Sequence, residues 1–358
     1  MICNDLKSIL DIKKTLTRQT AILWLEFKCF GSSTDEDMMK NTICDTKIDI
    51  SDERTHHEKR VERLSAHKNR TLWMSYLVSA KQTLNPNQLY RYRNCHNYLL
   101  FRYYPHLQKK KLHETKHCDI HLLCPMCAIR RAARQVQRYE EKVNILLKNS
   151  PKLKLYYVVL TIKNQENLLS AFQHLIKSYS LLSARRRQAL HYKKTQNLSS
   201  AYAKDSVFSN VVAGAYSIEI KRGKNSGLWH PHMNLLLLTE DDISQDKISK
   251  EWESITQDSY IVHCEETSKN QKVKDALVEI FKYALKYSEM EADDTFLTYQ
   301  TLRSKRLFGS FGGFRGLDID IDDNDTYEHL EYVELFYSYA TQSRKYILTT
   351  DGELETAI

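Results

Sequence analysis

The chain lacks long apolar runs. No stretch of its 358 residues reaches the roughly 20 consecutive apolar residues that a membrane-spanning helix needs. The N-terminus also lacks the basic leader, the apolar block and the small-residue cleavage site of a secretory signal. We therefore expect a cytoplasmic protein without a membrane partner. In that reducing compartment the eight cysteines are thiols or metal ligands rather than disulfides.

The sequence also lacks two motifs that bind phosphate or calcium through loops. No Gly-Lys-Ser/Thr follows the glycine-rich segment 309–316, which excludes a nucleotide-binding P-loop there. The acidic run 318–325 lacks the Asp-x-Asp-x-Asp-Gly order of a calcium loop, so we interpret it as a solvated linker.

Positive charge and tyrosine are abundant instead. The formal net charge is +8, and there are 22 tyrosines. A basic surface favours a polyanionic partner, and tyrosine rings either stack on unpaired bases or fill a core. The length allows one large domain or two modest ones, with a sizeable core.

Four cysteines have the spacing of a structural zinc site. They are Cys95, Cys118, Cys124 and Cys127, in the pattern C-x22-C-x5-C-x2-C. The last pair is a Cys-Pro-Met-Cys knuckle, which presents two thiolates to one tetrahedral ion. Nearby histidines compete with Cys95 for the fourth ligand position: His96, His113, His117 and His121. A redox-active cysteine pair is the alternative, but no βαβ pattern flanks the knuckle.

Two basic segments are candidate DNA contacts. The helix predicted over Ala128–Leu147 carries a ridge formed by Arg130, Arg131, Arg134 and Arg138. Three of these arginines are spaced by four residues, so they share one face that can meet phosphates. The second segment is a glycine-rich aromatic loop with Arg303, Lys305, Arg306 and Arg315. A solvated charged surface is the alternative for both.

Two histidines mark a candidate metal site. His230 and His232 stand at i and i+2 on a predicted strand that continues into the apolar run Leu235–Leu238. Their side chains point to the same face, because side chains alternate along a strand. Pairing with the predicted strand 216–220 would bring Glu219 near them. Two histidines and one carboxylate suit a divalent metal that keeps positions open for a substrate. A structural or surface His-x-His pair is the alternative.

A later helix carries the side chains for covalent phosphodiester chemistry. It is predicted over Lys274–Met290 and presents Glu279, Tyr283 and Lys286 along one stripe. In cleavage through a phosphotyrosine, the tyrosine oxygen attacks phosphorus, a lysine balances the developing charge and a carboxylate activates a water. Tyr287 is also four residues from Tyr283, so a second tyrosine is the alternative to Glu279.

These motifs resemble those of the HUH endonucleases, and more closely those of the rolling-circle replication initiators of small bacterial plasmids. In that family the second catalytic residue is a glutamate four positions before the tyrosine, where this chain has Glu279. The family's first motif, an apolar strand ending in Leu-Thr, corresponds to Tyr156–Thr161, and a similar cysteine arrangement precedes it. Members often carry a further histidine two positions past the pair. This chain has Asn234 there, which puts more weight on Glu219.

The resemblance implies an α+β fold, with the ferredoxin-like or RRM-like antiparallel sheet of HUH nucleases and an N-terminal zinc-binding module. The predicted parts are a poorly defined N-terminal segment (1–84), a basic zinc-binding module (85–150), the nuclease core (151–316) and an acidic linker with a C-terminal tail (317–358). We expect Ser32–Lys68 to be an exposed helix or arm rather than core, and the tail to add one helix.

The resemblance also implies a metal-dependent nickase and strand transferase. His230, His232 and Glu219 would hold Mg²⁺ or Mn²⁺ against the scissile phosphate of single-stranded or hairpin origin DNA, and Tyr283 would take the 5′-phosphate. Zn²⁺ would be structural, and a host helicase and polymerase would be the protein partners. A homodimer stays open. Other hypotheses are an HUH transposase or relaxase, a non-catalytic zinc-containing DNA-binding regulator and a metal-dependent hydrolase of small molecules.

Overall fold

The computed structural model describes residues 55–195, 205–223, 225–267, 270–282, 286, 290–319 and 330–355. The predictions for the first 54 residues, for Tyr283, for Tyr287 and for most of the acidic run fall outside these ranges. No helix within the described ranges is long and apolar enough to cross a bilayer.

The described chain contains helices and strands in an α+β arrangement. In chain order they are α1 (His56–Ala80), α2 (Pro86–Arg93), β1 (Tyr98–Tyr104), β2 (Lys109–Glu114), α3 (Pro125–Asn149), β3 (Lys154–Thr161), α4 (Leu168–Thr195), β4 (Val211–Arg222), β5 (Trp229–Thr239), α5 (Gln245–Thr256), β6 (Val262–Glu266), α6 (Asn270–Phe281), α7 (Ala292–Leu302), β7 (Phe308–Gly312), α8 (Gly313–Gly316), β8 (Tyr332–Ala340) and β9 (Lys345–Glu355). The strands form two antiparallel sheets, ordered β2-β1-β8-β9 and β6-β3-β5-β4-β7. The predicted α+β class with an antiparallel sheet is confirmed.

The histidine strand β5 is the central strand of the larger sheet. Its run Leu235–Leu238 is buried, with helices on both faces of the sheet, which explains why the run shows no polar alternation. Leu236 and Leu238 pack in the cluster that contains α3 and α6, whereas Leu235 and Leu237 pack in the one that contains α4, α5 and α7. Even-numbered side chains of β5, including His230 and His232, therefore point to the face that carries α3 and α6.

The smaller sheet joins the start of the described chain to its end. β1 pairs with both β2 and β8, and β8 pairs with β9, so the C-terminal tail completes a sheet beside the cysteine motif. The expected tail helix is wrong. Val333, Leu335, Tyr337 and Tyr339 alternate with a period of two and pack against the core, as a strand requires.

Helix α1 packs against this smaller sheet. It begins with a capping box, in which the Glu58 N–H donates to Thr55 Oγ1 at 3.2 Å and the Thr55 N–H donates to Glu58 Oε2 at 2.7 Å. Val61 and Ser65 are buried, and the N–H of Tyr346 in β9 donates to Ser65 Oγ at 3.1 Å. Residues 56–68 therefore form a helix, one of the two expected alternatives, but the expectation that they lie outside the core is wrong, because the small and apolar residues between the charges face the sheet.

The glycine-rich segment is an edge strand rather than the expected loop. β7 pairs with β4, and α8 follows directly. The ring of Tyr216 lies across Gly309, where a Cβ would come within 2.6 Å of the ring. Gly312 has a φ of +61°, and a Cβ there would lie 2.1 Å from the carbonyl oxygen of Val212. Packing and backbone conformation therefore account for these two glycines.

Candidate active site and metal centre

The paired strands β4 and β5 bring two predicted metal ligands together. Their register sets Glu219 opposite His232 and Ser217 opposite Asn234. Residues directly opposite each other in an antiparallel pair share a face, which here carries α3 and α6. His232 Nε2 lies 3.1 Å from Glu219 Oε2, so the predicted pairing brings the two side chains into contact.

Glu219 is a fully buried carboxylate among cationic groups. Lys221 Nζ lies 3.0 Å from its Oε1, and Lys286 Nζ contacts its Oε2. Burial alone would raise the pKa of Glu219. The hydrogen bond with His232 and the charges of Lys286 and Lys221 more than offset burial and hold that pKa well below its usual range. The carboxylate is therefore ionised at neutral pH and able to hold a cation.

Lys286 links the sheet to the predicted tyrosine helix. Its N–H donates to the carbonyl of Lys282 at 3.1 Å, the spacing of a helical hydrogen bond. Its ammonium group contacts Glu219 and lies 3.7 Å from Oε2 of Glu279. The other carboxylate oxygen of Glu279 forms an ion pair with Lys282. Three predicted catalytic or metal-binding side chains thus converge, while Tyr283 lies outside the described residues.

His230 stands apart from this group. It is exposed, its Nδ1 is hydrogen-bonded to Asn164 Oδ1, and its ring centroid lies 5.8 Å from that of His232. Within the described residues, His230, His232 and Glu219 do not form a set whose ligand atoms all lie within 4.8 Å of one another. A hydrogen bond at Nδ1 leaves Nε2 as the nitrogen that can bind a metal.

Glu219 and His232 fit a divalent cation as a pair. Two neighbouring ligands of an octahedral ion with bonds of about 2.1 Å are about 3.0 Å apart. The observed separation of Glu219 Oε2 and His232 Nε2 is 3.1 Å, which is also the length of the hydrogen bond that joins them. Glu219 Oε1 is buried and has no hydrogen-bond partner in the described part of the chain, because Lys221 approaches it as an ion pair outside hydrogen-bonding geometry. A buried carboxylate oxygen of this kind can serve as a metal ligand.

The four predicted zinc ligands form one buried cluster. Cys95 Sγ lies 3.6 Å from the Sγ atoms of Cys124 and Cys127, and Cys118 Sγ lies 3.6 Å from that of Cys127. Zn–S bonds of about 2.3 Å in a tetrahedron separate the sulfurs by about 3.8 Å, whereas a disulfide requires about 2.05 Å. The cluster can therefore hold a metal ion, and its all-cysteine donor set is compatible with structural zinc.

Cys95 takes the fourth place in this cluster rather than a histidine. His96 Nδ1 lies 2.9 Å from Cys95 Sγ, and His96, His117 and Cys127 form a second group with ligand atoms within 4.8 Å. The other two competing histidines belong to neither group of described residues. Lys68, which is buried, donates to the carbonyl of Cys95 at 2.6 Å and so anchors the segment that carries this cysteine.

The predicted arginine ridge lines a recess of about 230 Å³ next to the cysteine cluster. The ridge residues that line it are Arg130, Arg131, Arg134 and Arg138. The second basic set is exposed on the surface: Arg303, Lys305, Arg306 and Arg315. Burial raises the pKa of Tyr139, against the effects of a hydrogen bond with Ser310 and of the charges of Arg138 and Arg315. Lys142 of α3 also donates to the carbonyl of Phe314 at 2.9 Å, so Arg315, the next residue, lies close to α3.

Three polar side chains at the site were missed from the sequence: Lys221, Asn164 and Tyr157. Lys221 follows Glu219 by two residues, so strand alternation could have placed it beside the carboxylate. Alternation could also have placed Tyr157, in the first-motif strand, on the same face. Nothing local to Asn164 signals its contact with His230, because that contact depends on the tertiary fold.

The chain is similar to known replication proteins. The sequence profile described as replication protein matches residues 109–346, more than half of the chain. The protein rep of Streptococcus pneumoniae serotype 2 (strain D39) is 21% identical over 220 residues, which are 57% of this chain. The chain spans 63% of the length of that relative. No solved structure matches. The chain therefore belongs to the replication protein family, which confirms at the family level its resemblance to plasmid replication initiators.

Proposed function

We propose that this protein is a rolling-circle replication initiator of the HUH type, which nicks one strand of its origin DNA and later rejoins it. The observation that carries the proposal is the convergence of Glu219, His232, Lys286 and Glu279 at one sheet face in a member of the replication protein family. A carboxylate and an imidazole beside a lysine and a second carboxylate are the side chains that metal-assisted phosphodiester transfer needs.

Tyr283 is the nucleophile in this proposal. Its phenolic oxygen loses its proton and attacks the scissile phosphorus, the bond from phosphorus to the 3′ oxygen breaks, that oxygen takes up a proton and leaves as a 3′-OH, and the 5′-phosphate stays on the tyrosine. Lys286 balances the charge that develops on the phosphoryl oxygens. Glu219, His232 and His230 would hold Mg²⁺ or Mn²⁺, which would supply Lewis-acid polarisation of the phosphate. The freed 3′-OH primes a host polymerase, with a host helicase opening the duplex.

Glu279 acts in the second cut. It activates a water that cuts the regenerated origin after one round, and the 3′-OH of the released strand attacks the tyrosyl ester and closes the circle. Its position 3.7 Å from Lys286 supports this role. Tyr287 is the competing residue. Loss of the second cut in Tyr287→Phe, with the cut retained in Glu279→Ala, would assign a two-tyrosine mechanism typical of transposases.

The remaining basic and cysteine residues have supporting roles. The four cysteines hold structural Zn²⁺, which shapes the module and takes no part in the chemistry. The arginines of the α3 recess and the exposed basic set contact phosphates of the origin DNA.

A gel assay for a covalent protein–DNA adduct tests the proposed function. The full chain is incubated with Mn²⁺ and 3′-labelled single-stranded DNA that tiles the source replicon. We expect a labelled band on denaturing gels that disappears with EDTA and in Tyr283→Phe. DNA binding without any adduct would instead support the non-catalytic zinc-containing regulator.

A further inference from the structure

A hydrogen-bonded pair stands behind Glu219. Tyr157 Oη donates to Asn234 Oδ1 at 2.9 Å, and Asn234 Nδ2 faces Glu219 Oε2 at 3.5 Å. The three residues lie on the neighbouring strands β3, β5 and β4 and share one face. Asn234 is buried and follows His232 by two residues, at the position where the resemblance leads us to expect a third histidine.

The chemistry fixes the direction of this pair. An ionised Glu219 only accepts hydrogen bonds, so Asn234 turns its NH₂ group toward the carboxylate and its Oδ1 toward Tyr157. Tyr157 then acts as the donor. Burial, followed by the charges of Glu279 and Glu219, raises the pKa of this phenol, so it keeps its proton across the physiological range.

We propose that Asn234 and Tyr157 are positioning residues that orient Glu219 for the divalent cation, and that Asn234 is not a third ligand. This inference rests on the proposed function and deepens it. Oδ1, the atom of Asn234 that could ligate a cation, already accepts from Tyr157. Asn234, His232 and Lys286 approach Oε2 of Glu219 and Lys221 approaches Oε1, so contacts at both oxygens hold the carboxylate in one orientation. Outer hydrogen-bond partners of this kind commonly set metal affinity.

Mn²⁺ binding without DNA tests this role. The dissociation constant is measured on the full chain from the electron paramagnetic resonance signal of free Mn²⁺, for wild type, Tyr157→Phe and Asn234→Leu. Tyr156→Phe is the matched control, since this neighbouring hydroxyl donates to Asp242 at 3.1 Å and its side chain points to the opposite face. We expect about tenfold weaker binding for Tyr157→Phe and Asn234→Leu, and no change for Tyr156→Phe. Zinc content and melting temperature establish that each variant is folded.

The outcomes separate the alternatives. Tyr157→Phe removes one oxygen and conserves the packing, so it remains informative even where Asn234→Leu fails to fold. Binding within twofold of wild type in Tyr157→Phe would overturn the inference, and tighter binding would identify Asn234 as a ligand whose Oδ1 has been released. Equal weakening by Tyr156→Phe would also overturn it. A wild-type chain that neither binds Mn²⁺ nor forms the DNA adduct would overturn the proposed function itself, and this inference with it.

Discussion

The cysteine cluster and the sheet face that carries Glu219, His230 and His232 (the Glu219 face) differ in the burial and in the chemical type of their candidate metal ligands. The four cysteines are buried and chemically alike, and three of their sulfur–sulfur separations are 3.6 Å. The Glu219 face mixes oxygen and nitrogen donors, leaves His230 exposed and sets two lysine ammonium groups against one carboxylate. The four sulfurs of the cysteine cluster can surround one ion completely, whereas the ligands of the Glu219 face would leave one side of an ion uncovered.

The difference indicates what each site can do. A closed set of four protein ligands leaves no coordination position for a substrate, so a metal there stabilises the fold. An open pair with an exposed histidine leaves positions for a phosphate oxygen, and its lysines can also meet that anion. The same lysines repel a divalent cation, so we expect tight metal binding in the cysteine cluster and weak binding at Glu219.

Cys127→Ser gives the largest expected effect. It removes one ligand from the closed set, and we expect zinc loss and a melting temperature lower by at least about 10 °C, because structural zinc contributes directly to folding. Zinc content and circular dichroism melts measure the change. Unchanged stability in a zinc-free variant would show that the cluster does not hold the module together.

Glu219→Gln tests the open site. We expect the rate of adduct formation to fall by about 100-fold or more, because the variant removes the anionic ligand that we propose for the cation. Zinc content stays at the wild-type value, since the cysteines are untouched. Single-turnover kinetics with Mn²⁺ measure the rate. A rate near that of wild type would place the catalytic cation elsewhere.

Lys286→Met separates metal binding from transfer. Removing the ammonium that contacts Glu219 lessens repulsion of the cation, so we expect Mn²⁺ to bind about tenfold more tightly while the adduct forms more slowly. Arg187→Met, an exposed cation on α4, is the control. Weaker metal binding in Lys286→Met would contradict the arrangement of charges described above.

Mild acid should affect helix α1, beside the cysteine cluster, and the Glu219 face differently, because different groups take up protons in each. Burial first, and then neighbouring cations, lowers the pKa of both His57 and His67 on α1 to about 4. In the unfolded chain both histidines take up a proton below about pH 6.5, whereas in the folded chain they stay neutral down to about pH 4. Their contribution to the free energy of unfolding is therefore complete above about pH 6.5 and is lost as the pH falls toward 4. Glu219, with its lowered pKa, keeps its ion pairs over this range. Urea unfolding against pH should therefore show a shallower loss of stability in His67→Gln than in wild type.

Arg130→Ala gives the smallest expected effect. We expect binding to single-stranded DNA to weaken several-fold, equally for all sequences, and the slope of log affinity against log salt to fall by about one. Arg187→Ala provides the matched control. Filter binding over a range of salt concentrations measures both quantities, and an unchanged slope would mean that the recess does not meet phosphate.

Local patterns predicted the parts of this protein that depend on short spacings. The Cys-Pro-Met-Cys knuckle and the alternation around His232 each specify a geometry within a few residues, and the structure brings their side chains to the expected partners. The helix stripe likewise set Glu279 and Lys286 near each other.

Long-range pairing set the limits of prediction. The tail is a pair of strands because β1 offers it an edge, and that edge lies more than two hundred residues away in sequence. Lys68 lies in a charged stretch but is buried, and its ammonium group donates hydrogen bonds to the carbonyl groups of Arg93 and Cys95. Gly309 and Gly312 of β7 are required by the ring of Tyr216 and the carbonyl of Val212 on β4, and no local sequence motif predicts these contacts.

Peptide mapping of the covalent adduct is the most direct test of the proposal that Tyr283 is the nucleophile. The adduct formed with Mn²⁺ is digested with nuclease and protease, and the nucleotide-bearing residue is located by mass spectrometry. We expect a 5′-phosphate ester on Tyr283. A modification on Tyr287 or Tyr157, or an adduct through a residue other than tyrosine, would contradict it.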